Sequence, residues 1–162
     1  MLQGFKSGLV GGGARPNQFV VETLGKGGNG EFHCKATSLP GATTGVASVF
    51  YRGREVKFAG DRTYQPWTVT ILNDITFGIH RSLFDWAAQM NEESEVGGDI
   101  FPQSYWDTLI VKHLDKNGTP LRTFMLKDAF PMEVGEVSLD WGDNDRVEEF
   151  TCTFAFNDYS QM

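Results

Sequence analysis

The chain has 162 residues, of which 40% are hydrophobic and 13% aromatic, and its formal net charge is −7. This length suits one domain with a real core, and this apolar content excludes intrinsic disorder. No apolar run approaches the roughly 20 residues of a membrane span, and the first residues lack the apolar core of a signal peptide. Two distant cysteines without CxxC spacing argue against a metal or redox centre and suit a reducing compartment.

The charge is divided unevenly along the chain. Residues 1–81 carry nine Lys or Arg against five Asp or Glu, a net +4, whereas residues 82–162 carry five against sixteen, a net −11. Such asymmetry indicates a polar partner, and one such partner is a second copy that sets its basic face on an acidic one. The alternative, charge that is simply solvated over the surface, stays open at this point.

The first 16 residues are Gly-rich and weakly patterned, which predicts an arm or short helix ahead of a single domain over residues 17–162. Strands are predicted over Gln18–Leu24 and Glu31–Thr37, joined as a hairpin by the Gly-rich residues 25–30. These glycines do not bind phosphate in our interpretation, because a strand rather than a helix follows them.

A loop over residues 38–46 precedes two predicted hairpin arms, Ala47–Tyr51 and Arg54–Phe58, which turn near Gly53. Residues 59–62, Ala-Gly-Asp-Arg, predict a tight corner after the hairpin. The hairpin mixes basic and aromatic residues with few acids, which indicates a contact element rather than a catalytic site. The candidate contact residues are Tyr51, Arg52, Arg54, Glu55 and Lys57.

The segment Trp67–Leu72 alternates between bulky apolar and polar residues, which predicts a half-buried strand. Asn73 or Asp74 then offers an N-cap for a helix over Ile75–Met90, and an acidic loop over Asn91–Gly98 follows. The apolar stripe of this helix consists of Ile75, Ile79, Leu83, Trp86 and Met90, with Phe77, Phe84 and Ala87 beside it.

The last third predicts strands over Tyr105–Leu114 and Leu121–Lys127, joined by a hairpin turn that contains Asn-Gly. Two alternating strands follow, Glu133–Trp141 and Arg146–Asn157, with a Gly-Asp-Asn-Asp turn between them. The predicted fold class is therefore mainly β: seven to nine short strands in two packed antiparallel sheets that form a sandwich or barrel flanked by one α-helix.

No group of residues predicts catalysis. The three histidines lie on different predicted elements, and the adjacent His33 and Cys34 point to opposite faces of a strand. We interpret Cys34 and Cys152 as small buried hydrophobes. The turn that contains Asp143 and Asp145 lacks the rest of a calcium loop. We therefore expect no enzyme activity, no cofactor and no metal.

Four segments form a pattern that spans most of the domain. They are ARPNQFVVET (Ala14–Thr23), FHCKATSLPG (Phe32–Gly41), AGDRTYQPWTVTILND (Ala59–Asp74) and VGEVSLDW (Val134–Trp141). The third is specific, whereas the Gly-rich and LPG pieces are weak alone. In this order, the segments resemble the tail tube protein family of contractile-tailed bacteriophages. The chain departs from the family at Pro66 and in its loops at residues 25–30 and 91–99, which affects loop contacts.

This resemblance implies a non-enzymatic virion protein whose hexameric rings stack into a hollow tail tube, through which phage DNA passes without specific binding. It implies that each subunit adds strands to a continuous inner β-barrel, with the helix outside. A hairpin loop, residues 41–58 here, would reach the next ring. The implied partners are further copies of the chain, the tail sheath protein, a baseplate hub and a tail terminator. The resemblance implies no contact with a membrane. The implied location is the phage tail, assembled in the host cytoplasm.

Physical reasoning agrees with such an assembly. Pairing between subunits would cover open sheet edges, and a head-to-tail contact with two different faces generates an open filament. Because DNA is densely negative, a basic lumen would hold it and an acidic one would let it slide. We therefore predict that acids of the second half line the lumen. The candidates are Glu136, Asp140 and Glu149, with Thr151 and Thr153.

Two alternative functions stay open from the sequence. One is the tube of a type VI secretion apparatus or of an extracellular contractile injection system, which neighbouring genes would distinguish from a phage tail. The other is a monomeric β-barrel binding domain, which is supported only by the strand count and would remain monomeric on a sizing column.

Overall fold

The structure is a computed structural model, and it describes residues 1–9, 12–31, 33–91 and 102–162. The acidic loop predicted over Asn91–Gly98 lies outside these residues after Asn91. Among the described residues, no helix combines the length and apolar character needed to cross a membrane. The helices are α1 (Leu2–Gly8) and α2 (Gly78–Asn91), with short 3-10 turns at Gly25–Gly27 and Pro102–Ser104. The strands are β1 (Phe19–Thr23), β2 (Cys34–Thr37), β3 (Ala42–Tyr51), β4 (Arg54–Tyr64), β5 (Trp67–Leu72), β6 (Asp107–Leu114), β7 (Pro120–Val134), β8 (Glu149–Ala155) and β9 (Asp158–Gln161).

One long strand, β7, connects the two layers of the main sheet. The strands pair in the order β1-β6-β7-β8-β5-β2, and β9 pairs with β7 as well. The first part of β7 pairs with β6, and its end, Phe130–Val134, pairs with β8. Between these parts, Asp128 has a φ of 53° beside a register shift. Such a bulge bends a strand, so β7 passes from one layer into the other.

The predicted class, two packed antiparallel layers flanked by a helix, is confirmed, and within the described residues the sheet does not close into a barrel. The strands β1 and β2 end the main strand order, and β9, which among the described strands pairs only with β7, is a further edge strand. β1 pairs with β6, and β2 pairs with β5. The hairpin predicted across residues 25–30 is therefore wrong. Local turn chemistry suggested it, but each strand pairs with a partner that is distant in sequence.

A single core fills the space between the layers. The alternation predicted for β5 is confirmed, because Trp67, Val69 and Ile71 are fully buried. On β8, Phe150, Cys152, Phe154 and the adjoining Phe156 face the same core. The other layer contributes Val21, Leu109, Val111, Phe124 and Leu126. Burying each large apolar side chain contributes about 1.5–3 kcal/mol, which makes this cluster the main source of stability.

The helix α2 is held by two buried side chains. Leu83 packs on Gly27, where an added Cβ would lie 2.4 Å from the leucine Cδ2. The indole Nε1 of Trp86 donates a hydrogen bond to the carbonyl of Tyr105 at 2.7 Å. The Gly-rich residues after β1 thus form a 3-10 turn that allows the helix to approach closely.

The helix begins three residues later than predicted. Phe77 has a φ of 54°, which is costly for a bulky side chain and stops the helix from extending further towards the N-terminus. Asp74 Oδ1 accepts hydrogen bonds from the Thr76 hydroxyl at 2.9 Å and from Gly78 N at 3.4 Å. Asp74 thus contacts the first backbone N–H of the helix, but it lies four residues before that residue and is not the N-cap that was predicted. Ile75 lies outside the helix and is 97% exposed, so its place in the apolar stripe is wrong.

Candidate functional site

A two-stranded ribbon, the hairpin β3–β4, extends from the domain. Within the described residues its strands form a sheet of their own, and every residue from Gly41 to Thr63 is exposed. The turn is made by Arg52 and Gly53, both with positive φ, 49° and 75°. Two such residues define the type I′ turn that matches the twist of paired strands. Strands of ten residues at about 3.3 Å per residue give the ribbon a reach of about 30 Å.

One face of this hairpin is apolar. Val49 pairs with Val56 and Ala47 pairs with Phe58, so their side chains share one face. Val49, Val56 and Phe58 are all exposed. An isolated two-stranded ribbon is only marginally stable in water. The hairpin therefore exposes apolar surface that the described part of its own subunit leaves uncovered, as expected of a docking element.

The five predicted contact residues lie together at the outer part of the hairpin, but not on one face. Tyr51 pairs with Arg54 at the end of the apolar face, while Glu55 and Lys57 lie on the opposite face. Arg52 occupies the turn, and its guanidinium carbon lies 5.3 Å from the centre of the Tyr51 ring. Sequence reasoning missed the apolar residues, although their alternation along the two arms was a visible signal.

The hairpin is longer than predicted, and its base contains a glycine bulge. β3 begins at Ala42, inside the predicted loop 38–46, and the predicted corner at residues 59–62 lies within β4. A register shift falls between Thr44 and Val46. There, an added Cβ on Gly60 would lie 3.1 Å from the Gly45 carbonyl oxygen. The Ala-Gly-Asp-Arg sequence thus encodes a close backbone approach and not a turn.

The strands β2, β5 and β8 form the second layer of the sheet, and the face of this layer that points away from the core is polar. Thr68 pairs with Thr153, and their hydroxyl oxygens lie 3.2 Å apart. Thr151 and Glu149 continue the same row along β8. Lys35 Nζ donates a hydrogen bond to Glu149 Oε2 at 2.8 Å, and this bond holds the pKa of that carboxyl below its ordinary value. This face combines threonines with acids and is opposite the core.

A connector of residues 135–148 joins β7 to β8, and it corrects a predicted strand. The strand predicted over Glu133–Trp141 ends at Val134. Gly135 N donates to the Thr151 carbonyl at 2.6 Å, and an added Cβ on Gly135 would lie 2.5 Å from that oxygen. The glycine is required by this close approach, after which the chain leaves the sheet.

The connector forms a groove of about 540 Å³ with the end of β8. Four of the five predicted lumen residues line it: Glu136, Asp140, Glu149 and Thr151. Their predicted alternation on one strand is wrong for the first two, yet the fold brings all four together. Thr153 lies further along the same face of β8 and is not among the lining residues.

The hairpin and the connector lie at opposite ends of β5. The strand begins at Trp67, and only Gln65 and Pro66 separate it from the end of β4. At its other end, Leu72 pairs with Glu149, and Asn73 N donates to the Glu148 carbonyl at 2.8 Å. The subunit therefore has a pole with the basic hairpin and another pole with the acidic connector.

The cysteine side chains have no reactive character. Cys152 is fully buried and Cys34 is half-buried. Burial raises the pKa of both thiols to about 12, so both stay protonated near neutral pH. In the part of the chain that the structure describes, no three His, Cys, Asp or Glu side chains gather as metal ligands would.

Comparisons with known proteins identify the class to which this subunit belongs. The family model for the phage tail tube protein matches residues 14–162. Tail tube protein gp19 of Enterobacteria phage T4 is 36% identical over 149 residues, which cover 89% of each chain. The chain therefore belongs to the phage tail tube protein family. It is a structural protein of a contractile phage tail and not an enzyme.

Two solved structures share the fold. A chain in the cryo-EM structure of the anti-feeding prophage baseplate has a TM-score of 0.65 at 17% identity, and 92% of this chain and 95% of that chain are covered. A chain in the extended sheath-tube complex of the extracellular contractile injection system PVC has a TM-score of 0.60 at 16% identity, with 97% and 96% covered. At these identities the likeness concerns the fold.

Proposed function

We propose that this chain forms hexameric rings that stack head to tail into the inner tube of a phage tail, through which the phage DNA passes into the host. The observation that carries this proposal is the pair of opposite poles, a basic and apolar hairpin at one end of β5 and an acidic connector at the other. Two different complementary faces are what an open, head-to-tail stack requires.

Ring formation would cover the free edges of the sheet. The strands β1 and β2 have unpaired edges in the described part of the subunit. Exposed edges invite pairing with another chain, and a closed ring of subunits removes them as barrel closure does. The second layer, which contains β2, β5 and β8, would supply each subunit's share of a continuous inner barrel, with α2 on the outside.

The hairpin makes the contact between rings in this proposal. Its tip residues, Tyr51, Arg52 and Arg54, would meet the neighbouring ring first, with Glu55 and Lys57 on the opposite face. The exposed apolar row beside them would become buried in that contact. The hairpin, which is exposed along its length in the described part of the subunit, would thereby gain the packing that a two-stranded ribbon lacks.

The polar outer face of the second layer would line the lumen. Glu149, Thr151 and Thr153 lie on this face, and Glu136 and Asp140 reach it from the connector. Phosphates carry one negative charge per about 1.7 Å of duplex axis, so carboxylates would repel them and hydroxyls would hold them weakly. DNA would slide past such a surface. A structure of the assembled tube with these residues facing the sheath would refute this assignment.

The other partners follow from the place of the tube in a contractile tail. We propose that a sheath protein surrounds the tube, that a baseplate hub starts it and that a terminator ends it, with assembly in the host cytoplasm. The similar folds found in baseplate and sheath-tube complexes support these partners.

Electron microscopy of the purified protein tests the proposal. Wild-type protein should give rings of six subunits each and tubes made of stacked rings. The triple variant Arg52→Glu, Arg54→Glu and Lys57→Glu should keep its circular dichroism spectrum and its rings but stack poorly. A wild-type protein that stays monomeric on a sizing column at high concentration, alone or with a baseplate, would contradict the tube function. Tubes of normal length from the triple variant would contradict the role of the hairpin.

A further inference from the structure

We propose that the connector, residues 135–148, is the surface that receives the hairpin of a second copy in the adjacent ring. This inference rests on the proposed tube function and adds the site that the hairpin binds. Its occupant is the outer part of β3–β4, from Ala47 to Phe58, of another copy of this chain.

Position is the first argument. The base of the hairpin lies beside Trp67, whereas the connector ends beside Leu72, at the other end of the same strand. A ribbon about 30 Å long that does not fold back onto its own domain reaches beyond it. In a head-to-tail stack, the first part of the neighbour that it meets is the opposite pole, where the connector lies.

Exposed apolar side chains on the connector are the second argument. Trp141 is 101% exposed and Leu139 is 84% exposed. Ile75, which is 97% exposed, follows Asn73, whose backbone N–H donates to the Glu148 carbonyl at the end of the connector. Large apolar side chains that the described part of their own subunit leaves exposed favour an interaction surface here. Its counterpart is the apolar row of Val49, Val56 and Phe58 on the hairpin.

Charge is the third argument. The connector carries five acids and one base, Arg146, a net −4. That base already pairs with Asp143 at 3.5 Å. Residues 41–63 of the hairpin carry four bases and two acids, a net +2. Opposite charge around an apolar centre favours contact between a hairpin and a connector. It disfavours contact between two hairpins or between two connectors.

Two connector variants test the apolar part. Trp141→Ala and Leu139→Ser should keep rings intact and raise the protein concentration needed for tube growth at least about tenfold, as expected when a buried aromatic anchor is removed. Phe84→Ala is the matched control, since Phe84 is an exposed aromatic on α2, and it should leave tube growth unchanged. Wild-type tube growth by both connector variants would overturn this proposal while leaving the tube function intact.

A charge exchange tests the pairing directly. Asp143→Lys with Asp145→Lys should block stacking, as should Arg54→Glu with Lys57→Glu. The chain that combines all four changes should regain tubes. If the combined chain stacks no better than its parents, although its rings are normal, the pairing is wrong.

A cross-link covers the case in which a connector variant loses rings as well as tubes. The double variant Val49→Cys and Leu139→Cys in assembled tubes should give a ladder of disulfide-linked copies on mild oxidation, and each single variant should give none. The native thiols of Cys34 and Cys152 should form no cross-link, because burial keeps both protonated. Tubes of normal appearance without a ladder would overturn the proposal, whereas a wild-type protein without rings or tubes would refute the tube function itself.

Discussion

The apolar face of the hairpin permits a quantitative prediction for Phe58→Ser. Phe58 is 57% exposed in the subunit. Complete burial of such a side chain is worth about 1.5–3 kcal/mol, so the exposed part would contribute about 0.9–1.7 kcal/mol to each hairpin contact. A ring of six subunits would form six contacts at once. The substitution should therefore weaken ring-to-ring association by about 5–10 kcal/mol, on the order of 10⁴-fold or more in affinity.

The assay separates stacking from folding. Sedimentation velocity would measure the distribution between rings and tubes, and electron microscopy would measure tube length. Urea unfolding should change by no more than about 0.5 kcal/mol, since the side chain is on the surface. Phe84→Ser is the matched control: Phe84 is 60% exposed, but it lies on α2. It should give tubes of wild-type length in the absence of sheath protein.

Two results would refute the reasoning. Tubes of wild-type length from Phe58→Ser with an unchanged fold would show that this face is not buried between rings. Equal loss of tubes from Phe58→Ser and Phe84→Ser would show a general effect of lost surface hydrophobicity and not a hairpin contact.

Further predictions concern the subunit itself. Trp86→Phe removes the hydrogen bond to the Tyr105 carbonyl and should lower the free energy of unfolding by about 1–3 kcal/mol in urea titrations, because a partly buried acceptor loses its partner. The pKa of Glu149 lies below its ordinary 4.5 because of the hydrogen bond from Lys35, so the resulting stability is present above pH 4.5 and is lost as the pH falls through the lowered value. Lys35→Met should raise that pKa in an NMR titration and flatten the acid-side loss of stability. The thiol of Cys152, with its pKa raised to about 12, should resist alkylation at pH 8 in the native protein and react after unfolding.

Alternation along β5 and β8 made half of the core predictable from sequence. A strand with one buried face places every second residue in the core, so the period of two in Trp67–Leu72 and in the segment around Phe150–Phe156 assigns these side chains directly. The position of the hairpin turn near Gly53 was also predictable, because glycine readily adopts the positive φ found at the tip.

Pairing between strands was not predictable in the same way. The Gly-rich residues after β1 have the chemistry of a hairpin turn, yet β1 and β2 form opposite edges of the sheet. Likewise, the segment after Val134 alternates like a strand but leaves the sheet at Gly135. Local sequence determines which backbone conformations have a low free energy, whereas the partner of a strand depends on long-range packing.

The sequence by itself determined the family, the β class, the buried faces of single strands and the presence of a charged hairpin. Only the tertiary structure decided how these parts are arranged. It placed the hairpin and the connector at opposite ends of β5 and left Trp141 and Phe58 uncovered. It also gathered Glu136, Asp140 and Glu149 in one groove. The physical reason is that hydrophobic periodicity is local, while the position of a surface relative to the rest of the subunit is set by strand order and by where each chain segment leaves the sheet.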